Sequence, residues 1–157
     1  MRNPHACHIR LLTNMRADSA TAETHASIEI PRAAFTTAPP TQVLGMLGSV
    51  GGQRVVELGA GIGRFTGELA RAAAHVLAVD FMENLIAQNR EANAGCTNVE
   101  WRATDATTLQ LPAGSFDVVF SNWLLMYLAD EEVAKLAADS LRWVRGSPTY
   151  FDASFQC

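Results

Sequence analysis

The stretch Val55-Val-Glu-Leu-Gly-Ala-Gly-Ile-Gly-Arg64 concentrates residues able to do chemistry. Gly59, Gly61 and Gly63 lie between an apolar run and a helical pattern. Glycines at such a junction permit tight turns and let a ligand approach the main chain. Free N–H groups at the start of the following helix suit either a carboxylate or a phosphate, so the loop alone does not name its ligand. Its spacing says more. The dinucleotide fingerprint is G-x-G-x-x-G. Here Arg64 stands where the last glycine belongs, Ala60 sits inside the loop, and Glu57 precedes it. Asp80 ends the next apolar run, about twenty residues on, where an acid can accept both hydroxyls of a ribose. Its ordinary alternative is to cap the next helix. Phe81 and Met82 follow and can wall a flat ring, or simply be core. Asp105, in Thr104-Asp105-Ala106, sets a carboxylate beside a backbone N–H, a pair that matches the amino group and ring nitrogen of adenine. An aspartate in a loop is otherwise a turn former.

Other candidates are weaker. His5-Ala-Cys-His8 has metal-ligand residue types, but three ligands within four residues and no partner pair elsewhere rarely close a tetrahedral site. No metal is expected. The three cysteines, Cys7, Cys96 and Cys157, are scattered. That spacing argues against a disulfide framework and for a reducing, cytoplasmic setting. A net charge of −4 argues against nucleic acid as a partner. No apolar run reaches the length needed to span a bilayer.

The elements that position the loop begin near Thr41. Residues 1–41 are rich in Ala, Thr, Arg and His, lack a sustained period, and end on Pro31, Pro39 and Pro40. They are expected to form a poorly ordered arm, with a transit peptide as the alternative, since Arg2, Arg10 and Arg16 outnumber Asp18 early on. Residues 42–157 are expected to form the ligand-binding domain. Thr41–Leu47 reads as a short helix stopped by Gly48. Strands are expected at Arg54–Leu58, His75–Val79, Asn98–Arg102, Phe116–Ser121 and Thr149–Phe155. Helices are expected at Phe65–Ala74, Asn84–Asn93 with Gly95 as its stop, and Asp130–Val144, capped by Asp130 and ended by Gly146 and Pro148. The alternation implies an α/β fold with a mostly parallel sheet.

Taken together, residues 50–146 resemble the class I S-adenosylmethionine-dependent methyltransferases. Within that class, Glu57-Leu-Gly-Ala-Gly-Ile-Gly-Arg-Phe-Thr-Gly-Glu-Leu-Ala70 and Phe120-Ser-Asn-Trp-Leu-Leu-Met-Tyr-Leu128 are most similar to plant and algal phosphoethanolamine N-methyltransferases. The resemblance implies a Rossmann-like sheet and S-adenosyl-L-methionine as cofactor. It also implies a phosphobase as substrate, methylated stepwise toward phosphocholine. It implies cofactor contacts from Gly59, Arg64, Asp80, Asp105, Ala106 and Asn122, with Trp123 bordering the same pocket. Asn122 lies just past the fourth strand, at the edge where open α/β sheets bind ligands. Tyr127 falls where related enzymes place a residue near the substrate amine. It is the one candidate catalytic base, with packing under the cofactor as its alternative.

The departures bear on activity. The family's Tyr-Trp pair before the loop is absent, and only His25 loosely matches that arm. Arg145-Gly-Ser-Pro148 replaces a Gly-Gly before the last strand, and the family's Arg-Glu-Ser-Cys run is missing. From Thr41 onward Lys135 is the sole lysine, so cationic clamps for a phosphate are scarce. The expectation is a truncated domain with about five of seven strands. Its fifth strand would be an exposed edge, which predicts self-association. Three readings compete: an active small-molecule methyltransferase, with sterols, quinones or other amines as further acceptors; a cofactor-binding fragment without catalysis; and a nicotinamide-dependent oxidoreductase. Arg64 and Glu57 disfavour the last.

Overall fold

The computed structural model describes residues 6–13, 26–31 and 40–153. Helix α1 (Pro40–Leu47) starts on a proline, whose missing N–H costs nothing at a first helical position. It stops before Gly48, which adopts φ 81°, the left-handed cap that glycine takes without strain. Strand β3 (Arg54–Leu58) and helix α2 (Thr66–Ala72) enclose the glycine loop. They are followed by β4 (His75–Asp80), α3 (Glu83–Ala92), β5 (Val99–Ala103), β6 (Phe116–Asn122), a 3-10 turn (Leu125–Tyr127), α4 (Asp130–Trp143) and β7 (Val144–Ala153).

Strands β7, β6, β3, β4 and β5 lie side by side and parallel. Their sequences explain this placement. β3 and β4 are mostly apolar and, past their first residues, buried on both faces, as a strand covered by helices on each side requires. Alternate residues serve the two faces. Val55, Val76, Val118 and Phe120 pack with Val43 of α1 and Leu69 of α2. Val56, Leu58, Leu77, Val79 and Val119 pack with Leu136 and Trp143 of α4. Each fully buried side chain of this kind contributes about 1.5–3 kcal/mol. Phe65 and Phe120 add an edge-to-face contact with ring centroids 5.2 Å apart.

Chain order reverses at β3. The chain runs outward from β3 to β4 and β5, then returns to place β6 on the other side of β3. Leu58, Asp80 and Asn122 therefore end neighbouring strands beside this switch point, where open α/β sheets form ligand crevices.

Several expectations change. The N-terminal arm supplies two strands, β1 (Ala6–Thr13) and β2 (Ala26–Pro31), and the sheet order is β2-β1-β7-β6-β3-β4-β5. β1 runs antiparallel along β7, with Leu11 opposite Phe151, and β2 runs antiparallel along β1. The fifth parallel strand is thus not an edge. β2 pairs with the nearby β1, and ladder pairing between the distant β1 and β7, which needs no local period, joins them to the sheet. The last helix stops at Trp143 and the chain enters β7 directly. Gly146 and Pro148 fall between the pairs Phe116–Val144 and Val118–Thr149, where the register shifts. A bulge is a place where a proline without an N–H is tolerated in a sheet. Asp130 is not the cap of α4. Ala129 holds that position, and its N–H donates to the Glu132 carboxylate at 2.9 Å. Asn93, not Gly95, closes α3.

Among the described residues, no helix is long and apolar enough to cross a membrane. Among them, no group of three His, Cys, Asp or Glu side chains could hold a metal ion. The side chains of His5, Cys7, His8 and His25 lie outside the described residues.

Candidate functional site

The loop between β3 and α2 is held from β4. Ala60 N–H donates to the Val79 carbonyl at 2.9 Å, and Gly61 N–H donates to Asp80 Oδ2 at 2.9 Å. The other carboxylate oxygen, Oδ1, accepts from Met82 N–H at 2.9 Å. Asp80 thereby sets both the loop and the turn into α3. Two lone-pair directions on the carboxylate stay available, because an ionised aspartate has about four acceptor sites.

Glu57 faces the loop from the end of β3 and is buried. Thr66 Oγ1 donates to its Oε2 at 2.6 Å. Burial raises its pKa from 4.5 to about 8; the Thr66 hydrogen bond opposes the rise and the charge of Asp80 adds to it. Its carboxyl group is therefore largely protonated at neutral pH when the protein is alone.

A cleft of about 230 Å3 opens above β3 and β6. Among the expected residues, Glu57, Gly59, Ala60, Gly61, Arg64, Asn122 and Trp123 line it. The Asn122 Oδ1 and the Ser121 hydroxyl are buried without a hydrogen-bond partner among the described residues. Buried polar atoms normally have partners, so an unused acceptor in a cleft wall marks a place for a donor. Trp123 holds φ 69°, unusual for a bulky residue, as β6 gives way to the 3-10 turn.

Other expected residues fall elsewhere. Phe81 is 70% exposed and Met82 39%, beside Asp80 but not on the cleft wall. Asp105 is exposed, and its Oδ1 accepts from both the N–H and the hydroxyl of Thr107, each at 2.8 Å. It forms the turn that aspartates commonly form in loops. Ala106 is buried against the core. Tyr127 is 74% exposed on the 3-10 turn and does not line the cleft.

Leu58, Ile62, Phe65 and Phe120 were not among the expected residues and also line the cleft, with Thr66, Asn89, Asn93 and Trp101 hydrogen-bonded to one another and to the loop. Asn89 and Asn93 are spaced i, i+4 on α3, the visible signal that they share a face. That face meets Gly63 and Gly67. A Cβ at Gly63, whose φ is 90°, would sit 2.5 Å from Asn89 Oδ1 and from Asn93 Nδ2. Replacing Gly63 by alanine is expected to destabilise the protein by about 2–4 kcal/mol, from left-handed strain plus overpacking. Urea denaturation measures this, and a loss within 0.5 kcal/mol, about that of an ordinary surface change, would refute it.

A family model described as a methyltransferase domain matches residues 55–146. The chain is 48% identical over 106 residues to phosphoethanolamine N-methyltransferase 1 of Zea mays, covering 66% of this chain and 21% of that protein. It is 47% identical over 116 residues to phosphoethanolamine N-methyltransferase of Triticum aestivum, covering 72% and 23% respectively. Among solved structures, it matches Haemonchus contortus phosphoethanolamine N-methyltransferase 1 in complex with phosphoethanolamine and S-adenosylhomocysteine. That match has a TM-score of 0.68 and 42% identity, and covers 70% of this chain and 24% of the other. The chain spans about a fifth of the length of these curated relatives.

Proposed function

We propose, from the premise that this chain belongs to the methyltransferase domain family, that its cleft binds S-adenosyl-L-methionine and serves N-methylation of phosphoethanolamine or a related phosphobase. The observation that carries the cofactor is the cleft at the switch point, walled by the glycine loop, the buried Glu57 and the unused Oδ1 of Asn122. The residues fit the group. Asp80 has acceptor capacity for ribose hydroxyls, Phe81 and Met82 offer exposed apolar surface beside it, and Asn122 offers an acceptor to an ammonium. Arg64 brings a cation to the cleft wall, suited to a carboxylate. Gly59, Ala60, Gly61 and Gly63 supply the main chain of the loop. Asp105 and Ala106 would contact adenine only through the turn they already form.

When bound, the cofactor supplies an electrophilic sulfonium methyl group to the acceptor nitrogen. The protein's part is alignment, which can contribute about 7–11 kcal/mol in a bimolecular transfer. The acceptor nitrogen attacks as a free amine, so a group must take its proton. Tyr127 Oη is the residue we assign to that step, accepting the amine proton as its own phenolic proton passes to the solvent it faces. Its exposure on the 3-10 turn leaves it open to substrate, with packing under the cofactor as the alternative. Tyr127→Phe is expected to lower kcat about 10²-fold with little change in cofactor affinity. Equal kcat in the two proteins would remove Tyr127 from the mechanism.

The phosphoethanolamine assignment rests on the likeness to the maize, wheat and nematode enzymes. Calorimetry with S-adenosylhomocysteine against NAD tests the cofactor, and radiolabelled methyl transfer to phosphoethanolamine tests the acceptor. Cofactor binding without turnover would favour the second reading, a binding module, which the scarcity of lysine also suits. A cytoplasmic setting belongs to the same proposal, supported by the scattered cysteines. Self-association belongs to it at a changed place. β2 and β5 now end the sheet, and unpaired strand edges template pairing. Light scattering is expected to show more than a monomer, and a monomer removes this part.

A further inference from the structure

The glycine loop is gripped from two sides. Its N–H groups are held from β4, by the Val79 carbonyl and Asp80. Its carbonyls are held from α3. Asn89 Nδ2 donates to the Gly61 carbonyl at 3.3 Å, and Asn93 Nδ2 reaches the Gly63 carbonyl at 3.5 Å. Asn89 is fully buried, and every polar capacity of its amide is used. The second N–H of its Nδ2 donates to Thr66 Oγ1 at 2.9 Å. Its Oδ1 accepts from Trp101 Nε1 and from Asn93 Nδ2, each at 3.0 Å.

An amide at this place is costly if any partner is lost, since each orphaned buried group costs about 1–3 kcal/mol. Packing alone does not call for it. Ile86, one turn earlier on α3, is also buried and makes no such bonds. What the amide adds is direction. Its nitrogen can only donate, so the single hydroxyl proton of Thr66 points onward to Glu57. Asn93 reinforces the arrangement: its two N–H groups are shared among Asn89 Oδ1 at 3.0 Å, the Asn89 carbonyl at 3.1 Å and, as the longest contact, the Gly63 carbonyl at 3.5 Å. Gly63 and Gly67 leave the room: a side chain at either would displace the asparagines.

We propose that Asn89, braced by Asn93, is the positioning residue of this site: the pair holds the glycine loop and the Glu57 hydroxyl partner in the shape that receives the cofactor. The effect on cofactor rests on the binding reading above, whereas the effect on the loop does not. Asn98 provides the contrast. Its Nδ2 donates to the carbonyls of Ala70 and Ala73 at 2.8 and 2.9 Å, so it ties the far end of α2 and not the loop.

The experiment compares Asn89→Asp, Asn93→Ala and Asn98→Ala with the unmodified chain. Hydrogen exchange of the peptide covering residues 59–64 is followed without ligand, alongside melting temperature and S-adenosylhomocysteine affinity. Loss of one net hydrogen bond corresponds to about a tenfold effect. Asn93→Ala and Asn89→Asp are expected to speed loop exchange and weaken S-adenosylhomocysteine by about tenfold or more. Asn98→Ala is expected to lower the melting temperature while leaving both unchanged. Unchanged loop exchange in Asn93→Ala overturns the proposal. So does an Asn98→Ala variant that weakens binding as much as Asn93→Ala at equal loss of stability. Asn93 is only half-buried, so its variant decides the matter if Asn89→Asp does not fold. An unmodified chain that fails to bind S-adenosylhomocysteine overturns the cofactor reading, and loop exchange then still decides the brace.

Discussion

Replacing Asp80 by alanine should weaken S-adenosylhomocysteine binding about 10³-fold while the sheet stays folded. Two effects combine. In the proposed binding mode a ribose would lose charged acceptors, each worth about 1.5–3 kcal/mol when the partner is ionised. Gly61 and Met82 also lose the acceptors of their N–H groups, which frees the loop from β4. Asp80→Asn separates the two, because its remaining oxygen can still accept one of those N–H groups while the charge is gone. It should bind more tightly than Asp80→Ala and more weakly than the unmodified chain. Calorimetric titration checks the order, and an alanine variant within threefold of the unmodified chain, less than one net hydrogen bond, would show that Asp80 is only a turn residue.

The second large effect concerns pH. Glu57 has a pKa of about 8 in the folded protein against 4.5 for an ordinary glutamate, chiefly because burial penalises its charge. The folded state therefore holds a proton that the unfolded chain releases across that window. Stability is full below about pH 4.5, falls as pH rises toward 8, and levels beyond it. Each pH unit between the two values costs about 1.4 kcal/mol, so the loss across the window is roughly 5 kcal/mol. Glu57→Gln keeps an acceptor for Thr66 and removes the titration. In urea titrations of the ligand-free protein, the variant should overtake the unmodified chain as the pH climbs through that window. Parallel stability curves for the two proteins would refute the assignment.

Much of the site could be read from residue order because it depends on short-range grammar. A glycine loop after an apolar run, an acid closing the next run, and Asn122-Trp123 closing a later one all fall at the same sheet edge once the strands are parallel. What escaped the reading depends on contacts made across the fold. Asn89 and Asn93 look like the wet face of a polar helix until α3 packs against Gly63 and Gly67. Asp105 reads as a ligand, with a turn former as the alternative, and only the positions of the Thr107 donors show which bonds it makes within the chain. The capping of α4 by way of Glu132 was missed because Ala129 has no side-chain acceptor to announce it. β1 and β2 show no useful periodicity, and the partner that joins the pair to the sheet, β7, lies at the other end of the chain from β1.

That last pairing governs the order in which the molecule can assemble. Arg10 sits opposite Asp152, so the contact closes a loop of about 140 residues, among the most entropically expensive closures a chain this size can make. β1 precedes β7 in the chain, so it can take its place on the sheet only once β7 has been made. Until it does, β7 presents an open flank during synthesis. Folding should accordingly be slow for the chain's length, because topology dominated by distant pairs sets a low rate.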